Sequence, residues 1–282
     1  MAMGIPARIF ATLLRISPGR MRNWMWKWWY QRLAKAHERA DFRFMNYGYK
    51  DDKELKLSKE DEPNRLFIQL YNMNIRDVDL KGKEVVEVGC GRGGGASWIA
   101  KTYNPKRLIA FDFSKDAVGL ASNWYSSQEN LSFKVGNAEY LPLKDNSKDI
   151  IYNVESSHCY GNVKAFVKEV YRSLKTGGNF CWTDFRDKET MEKLHEIFVD
   201  VGFEIVSKKD VTKEVLDALD DVNDSKVKGI NDLIVFTIMA LASLSAGIML
   251  SLTSWTTMNL LCIPFLVLII YSSFRADMLN KK

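Results

Sequence analysis

Glu87-Val88-Gly89-Cys90-Gly91-Arg92-Gly93-Gly94-Gly95 follows an apolar run that starts at Glu84 and leads into a helical stretch ending near Tyr103. Glycines are needed where a chain turns tightly and a ligand must approach the backbone with no Cβ in the way. Around this loop the sequence alternates. Short apolar, β-branched runs at Glu84–Gly89, Leu108–Phe113, Leu131–Val135, Asp149–Val154, Asn179–Asp184 and Phe203–Ser207 read as strands. Helical patterns fall between them at Gly95–Tyr103, Lys115–Ser127, Val163–Leu174 and Lys188–Val201. Nearly continuous apolar runs indicate strands covered on both faces of a parallel sheet. The expected fold class is therefore α/β, a doubly wound, mostly parallel Rossmann-like sheet with ligands at the carboxyl ends of its strands. Lys175-Thr176-Gly177-Gly178 reads as a helix stop with a glycine in the left-handed cap.

The glycine loop alone fits more than one nucleotide site, since Gly89, Gly91 and Gly94 satisfy the Gly-x-Gly-x-x-Gly spacing of dinucleotide folds. Three neighbours narrow the choice. Asp112 ends the second strand, where a carboxylate can hold a ribose diol by two hydrogen bonds. Asn137-Ala138-Glu139 follow the third strand, where an amide or acid can read an adenine edge. Glu87 precedes the first glycine by two residues. A carboxylate there repels a pyrophosphate but suits the cationic sulfonium and amino group of S-adenosylmethionine.

With these residues in place, the chain resembles class I S-adenosylmethionine-dependent methyltransferases, and the phthiotriol/phenolphthiotriol dimycocerosate methyltransferase family in particular. The resemblance runs through Phe42–Asn46-Tyr47-Gly48-Tyr49, Asp61-Glu62-Pro63-Asn64-Arg65, Glu87–Ser97 and Asn137-Ala138-Glu139. It continues through Asn153-Val154-Glu155-Ser156-Ser157-His158-Cys159-Tyr160 and Trp182-Thr183-Asp184-Phe185-Arg186, so it covers roughly residues 40–228. More distant similarity runs to sterol, tocopherol and phosphoethanolamine methyltransferases. The resemblance implies methyl transfer to an oxygen of a lipid-like acceptor. Its donor-binding set here is Glu87, Gly89, Gly91, Gly93, Asp112, Asn137, Ala138, Glu139 and Asn153, with no metal. Asn137 stands where many relatives carry aspartate, and after about Gly229 the chain departs from them altogether.

Methyl transfer is an in-line displacement, so the protein must align donor and acceptor and, for a hydroxyl, remove a proton. His158, beside Glu155 at the carboxyl end of the fourth strand, is the candidate base; a structural histidine is the competing reading. Tyr47 and Tyr49 resemble lid tyrosines and join it as candidate catalytic residues, with simple aromatic packing as their alternative. Asp184 can accept a proton or cap the following helix.

Charge is unevenly spread over the 282 residues. Residues 1–40 carry a net +7, residues 41–232 a net −4 and residues 233–282 a net +2. A weakly acidic central domain argues against nucleic acid as a partner. From Leu233 to Phe274 no Asp, Glu, Lys or Arg occurs, a run of 42 residues. A bilayer core takes about 20 apolar residues per helix, so a transmembrane helical hairpin is expected at 233–274. Lys226 and Lys228 before it, and Arg275, Lys281 and Lys282 after it, put both ends in the cytosol by the positive-inside rule. The catalytic domain then faces the cytosol from the endoplasmic reticulum or another organelle membrane. In the basic arm, residues 1–40, Met21, Trp24, Met25, Trp28 and Trp29 share one helical face. That face suits either the lipid headgroup layer or the domain's own core, and the arm is also compatible with a mitochondrial presequence. Cys90, Cys159, Cys181 and Cys262 show neither metal nor disulfide spacing, as in a reducing compartment. The expected layout is arm (1–40), methyltransferase domain (41–212), stalk (213–232) and membrane hairpin (233–274). The expected function is a membrane-anchored methyltransferase acting on a hydroxyl of a lipophilic acceptor, with membrane lipids as partners. Its alternatives are methylation of a sterol carbon, quinol or headgroup amine, or donor binding without catalysis.

Overall fold

The computed structural model describes residues 43–53 and 55–224. In chain order the elements are α1 (Arg65–Ile75), β1 (Glu84–Val88), α2 (Gly94–Tyr103), β2 (Arg107–Asp112), α3 (Lys115–Trp124), β3 (Leu131–Val135), β4 (Lys148–Val154), α4 (Val163–Ser173), β5 (Leu174–Thr183) and α5 (Lys188–Val201). The strands form one sheet in the order β3-β2-β1-β4-β5, and all neighbours are parallel. The chain winds outward from β1 through β2 to β3, then crosses back to β4. The reversal lies between β1 and β4, and a crevice opens there at the carboxyl ends of the strands.

Strand alternation sends successive side chains to opposite faces. Val85, Leu108, Ala110, Ile150 and Tyr152 pack with Ile68, Leu70 and Tyr71 of α1 and with Ala96 and Ile99 of α2. Val86, Val88, Ile109, Phe111 and Ile151 pack on the other face with Phe166, Val167 and Val170 of α4 and with Leu194 and Phe198 of α5. Both faces are therefore covered, as the unbroken apolar runs require. Each such side chain contributes about 1.5–3 kcal/mol when fully buried. Helix starts are set locally: Ser114, Asn162 and Asp187 cap α3, α4 and α5 through Ala117 N, Ala165 N and Thr190 N.

Three expectations change. No strand forms at Phe203–Ser207; the segment is irregular, and Val206 is 88% exposed with no partner strand among the described residues. The Lys175–Gly178 stretch does not cap a helix. α4 ends at extended Leu174, and Gly177 (φ +74°) lies inside β5, where the register jumps from Lys148–Leu174 to Ile150–Asn179. That glycine makes a bulge. Helix α1 was not foreseen, nor was the helical state of residues 212–224, most of which fall in the segment read as a stalk. The basic arm (1–40) and the uncharged run (233–274) lie outside the described residues. Among the described residues no helix is long and apolar enough to cross a membrane.

Candidate active site

The loop after β1 turns through Gly89 at φ +79° and lines the crevice. A Cβ at Gly89 would lie 2.1 Å from Ser156 Oγ, so this glycine admits the neighbouring β4 loop as well as any ligand. Gly95 plays a parallel part in α2, where a Cβ would lie 2.0 Å from Cζ of Tyr71. The loop's shape is locked by Asp112 at the end of β2. Its Oδ2 accepts from Gly91 N at 2.8 Å and its Oδ1 from Ser114 N at 2.8 Å. Burial pushes this carboxyl up to about 6 against the pull of those amides.

The cavity, about 200 Å³, is walled by the glycine loop, Asp112, Phe113, Gly136–Glu139 and the segment after β4. Asn137 Oδ1 accepts from Glu139 N, and Glu139 Oε1 accepts from Gly161 N and Asn162 N, which ties the β3 loop to the β4 loop. An adenosyl donor fits these residues. Asp112 retains lone pairs for a ribose diol, Phe113 and Ala138 offer apolar surface for a purine, and the glycine backbone stays open to the cavity. Gly89, Gly91, Asp112, Asn137, Ala138 and Glu139 line the cavity.

Gly93, Glu87 and Asn153 are behind it. Gly93 (φ +78°) caps the start of α2, where a Cβ would meet the Phe133 ring at 2.4 Å. Glu87 is fully buried; its Oε1 accepts from Tyr71 OH and its Oε2 from Tyr152 OH, each at 3.0 Å. Burial raises this carboxyl to about 7, although both tyrosine hydrogen bonds lower it. The carboxylate expected to meet the donor's cation is therefore held within the protein, and Tyr71 is the residue that reaches the cavity. Asn153, also fully buried, donates through Nδ2 to Val88 O (2.7 Å) and Ser156 Oγ (2.7 Å), bracing the ends of β1 and β4.

Arg43, Met45 and Asn46 cover the cavity from the segment before α1. The two tyrosines beside them part ways. Tyr47 is half-exposed, and its ring lies 5.5 Å from that of Phe185. Tyr49 is buried in the core, and its hydroxyl accepts from Lys209 Nζ at 2.8 Å, which takes it away from the site.

At the carboxyl ends of β4 and β5, His158 Nδ1 lies 2.8 Å from Asp184 Oδ1, and His158 N donates to Asp184 Oδ2 at 2.9 Å. The Asp184 side chain is fully buried and also meets Arg186 Nη1 at 3.2 Å. Burial pushes the imidazole down, but hydrogen bonds and charge from Asp184 and Cys159 more than offset this and raise it to about 9. His158, expected as a free base, therefore carries a proton at neutral pH. Asp184 does not cap α5, because Asp187 does; it fixes His158 instead. The Phe185 ring packs on His158 at 4.2 Å. Sequence reasoning noted Glu155 only as a neighbour of His158. It lines the cavity with φ +44°, a left-handed conformation that costs a non-glycine residue about 1–2 kcal/mol. Burial raises its carboxyl to about 7. Among the described residues no group of three or more metal-ligating side chains occurs.

A methyltransferase-domain family model matches residues 86–182. A probable phthiotriol/phenolphthiotriol dimycocerosates methyltransferase 2 from Mycobacterium ulcerans (strain Agy99) is 32% identical over 222 residues, 78% of this chain and 85% of that protein. A fatty-acid O-methyltransferase from Mycolicibacterium smegmatis (strain ATCC 700084 / mc(2)155) is 37% identical over 193 residues, 65% of this chain and 70% of that one. Among solved structures, the [4+2]-cyclase SpnF superposes with a TM-score of 0.52 at 18% identity, covering 72% of this chain and 83% of that chain. That last likeness concerns the fold.

Proposed function

The chain belongs to the class I S-adenosylmethionine-dependent methyltransferases, in the family of the phthiotriol/phenolphthiotriol dimycocerosates methyltransferases, and on that premise we propose that it methylates a hydroxyl oxygen of a lipophilic acceptor at a membrane surface. Its cofactor is S-adenosylmethionine, which supplies an activated methyl group on a sulfonium. The observation that carries the acceptor reading is the meeting, at one end of the donor cavity, of a polar proton-handling cluster with apolar rings. Glu155 and Cys159 line the cavity, the His158–Asp184 pair adjoins them, the half-exposed Phe185 ring packs on His158, and the half-exposed Tyr47 ring packs on Phe185. Similarity to enzymes named for lipid and fatty-acid methylation supports the same class of acceptor.

In this reading Asp112 and the glycine loop fix the donor, and Arg43, Met45 and Asn46 keep water from it. Asp184 holds His158 by Nδ1 and fixes the charged ring at the carboxyl ends of β4 and β5, beside the place of the acceptor oxygen. Phe185 and Tyr47 carry the acceptor's apolar part. The uncharged run 233–274 supports an anchor that keeps the domain on the cytosolic side, where such acceptors concentrate at the bilayer surface. The test is lipid mass spectrometry of cells with and without the protein, fed methyl-labelled methionine. A labelled methyl ether that depends on the protein is expected; a labelled ester, amine or carbon, or no dependent lipid, overturns the reading. For the anchor, the expected result is retention in membranes after alkaline carbonate extraction, and release into the supernatant refutes it.

A further inference from the structure

We propose that Glu155 is the catalytic base that takes the acceptor's proton during methyl transfer. The inference rests on the methyltransferase reading and deepens it.

Three geometric facts single this residue out. First, it stands on the cavity wall at the carboxyl end of β4, next to the crevice where the sheet reverses direction. Second, its backbone is held at φ +44°; among the described residues the other positive-φ residues outside glycine are Asn104 and Asn146, and asparagine tolerates this region. Glutamate does not, so its conformation is imposed from outside. The imposing contacts are Glu155 N to Thr183 O of β5 at 2.7 Å and Tyr47 N to Glu155 Oε2 at 2.7 Å. Strain of this sort gathers at functional sites. Third, Oε1 accepts from none of the described residues, which leaves one carboxylate oxygen for a ligand.

The groups around it decide its protonation. Burial and the negative charge of Asp184 hold the proton on, while the Tyr47 amide and the positive charge of His158 favour its release. The balance places its titration near 7, so at neutral pH half the molecules carry a competent base. His158, titrating near 9, is already protonated there and serves as donor and charge partner. In the step itself the acceptor O–H bond breaks and its proton passes to Glu155 Oε1. The freed electron pair forms the new oxygen–carbon bond as the carbon–sulfur bond breaks, and the latter's electrons stay with sulfur, which becomes a neutral thioether.

The test uses the full chain in detergent and the acceptor found by lipid profiling. The expected kcat profile is bell-shaped, rising through pH 7 and falling near pH 9. Glu155→Gln should lower kcat by about 100-fold and abolish the rising limb, with S-adenosylmethionine affinity changed less than threefold. Glu155→Gly removes the strained side chain, so it should fold at least as stably as the wild type and lose kcat equally. Added formate should restore a part of it. Independently of any acceptor, calorimetry of S-adenosylmethionine binding at pH 7 in buffers of different ionisation enthalpy should show proton release that both variants lack. Retained kcat and an unchanged rising limb in Glu155→Gln would overturn the proposal. So would loss of donor affinity beyond tenfold with no change in pH profile, which would make Glu155 a donor-binding group. If no oxygen is methylated while proton release and its loss in the variants persist, the acceptor reading fails and the base assignment with it, and Glu155 is left as a group that titrates beside the donor. If an oxygen is methylated and Glu155→Gln keeps its kcat and rising limb, only the base assignment fails.

Discussion

Replacing Glu87 by glutamine keeps the shape of the side chain and removes its ability to ionise. The native carboxyl is fully buried and titrates near 7 instead of its ordinary 4.5, because burial outweighs the hydrogen bonds from Tyr152 and Tyr71. Below pH 4.5 it is protonated in folded and unfolded chains alike, and its contribution is at its most favourable. Between pH 4.5 and 7 the unfolded chain releases the proton and the folded chain keeps it, so stability falls as pH rises. Above pH 7 the loss is complete. From 4.5 to about 7, at about 1.4 kcal/mol per pH unit, that loss is worth about 3 kcal/mol. Asp112 and Glu155 have raised carboxyls too, but they are common to both proteins and cancel in the difference. The assay is guanidinium unfolding of wild type and Glu87→Gln, followed by tryptophan fluorescence between pH 4.5 and 8. The stability difference should shift in favour of the variant by about 3 kcal/mol over that range, almost all of it before pH 7. Parallel pH curves for the two proteins would refute the claim that Glu87 is a buried, proton-holding carboxyl.

Gly89→Ala should lower Tm by several degrees and weaken S-adenosylmethionine binding at least tenfold, because the added methyl meets Ser156 Oγ at 2.1 Å on a φ of +79°; thermal melts and calorimetry check both. Asp112→Asn should also cost at least tenfold in donor affinity at pH 7.5, since the amide puts a donor group among the Gly91 and Ser114 N–H groups. Asp184→Asn should bring the His158 titration down from about 9, because burial then acts against Cys159 alone; proton NMR of the ring reads it directly, and an unchanged titration would refute it.

Much of the sheet was legible because its central strands are apolar on both faces and its turns carry glycine, asparagine or aspartate. The failures have physical causes. Helix α1 was missed although the Glu62-Pro63-Asn64 turn that leads into it is a 3-10 turn with proline at its start, where a proline is tolerated. The Phe203–Ser207 run has strand composition, but pairing is decided by a neighbour, and no strand pairs with it among the described residues. The place of Glu87 was readable from parity. It shares a face with Val85, which packs under α1, so a buried polar partner such as Tyr71 was to be expected there. The loop residues Asp112 and Asn137–Glu139 were found because their spacing from strand ends is local. Glu155 and the His158–Asp184 pair are made by β5 and the segment before α1 meeting β4, and no spacing within one segment reports that. Tyr49 looked like Tyr47 until Lys209, 160 residues away, claimed its hydroxyl.

Besides the Tyr47–Glu155 hydrogen bond at the end of β4, the cover over the cavity is fastened at a distance from the strands that form its base. Tyr49 N donates to Leu66 O, Lys50 N to Glu214 O, and Lys209 holds the Tyr49 hydroxyl, so residues 43–50 hang between α1 and the stretch 209–214. The methyltransferase-domain match, residues 86–182, holds none of these fastenings. The matched segment supplies most of the cavity wall, and its cover comes from the margin before α1, tied down by the stretch 209–214. Trimming the chain to the matched segment takes Arg43, Met45, Asn46 and Tyr71 from the cavity wall, so here the chamber is larger than the unit of recognition.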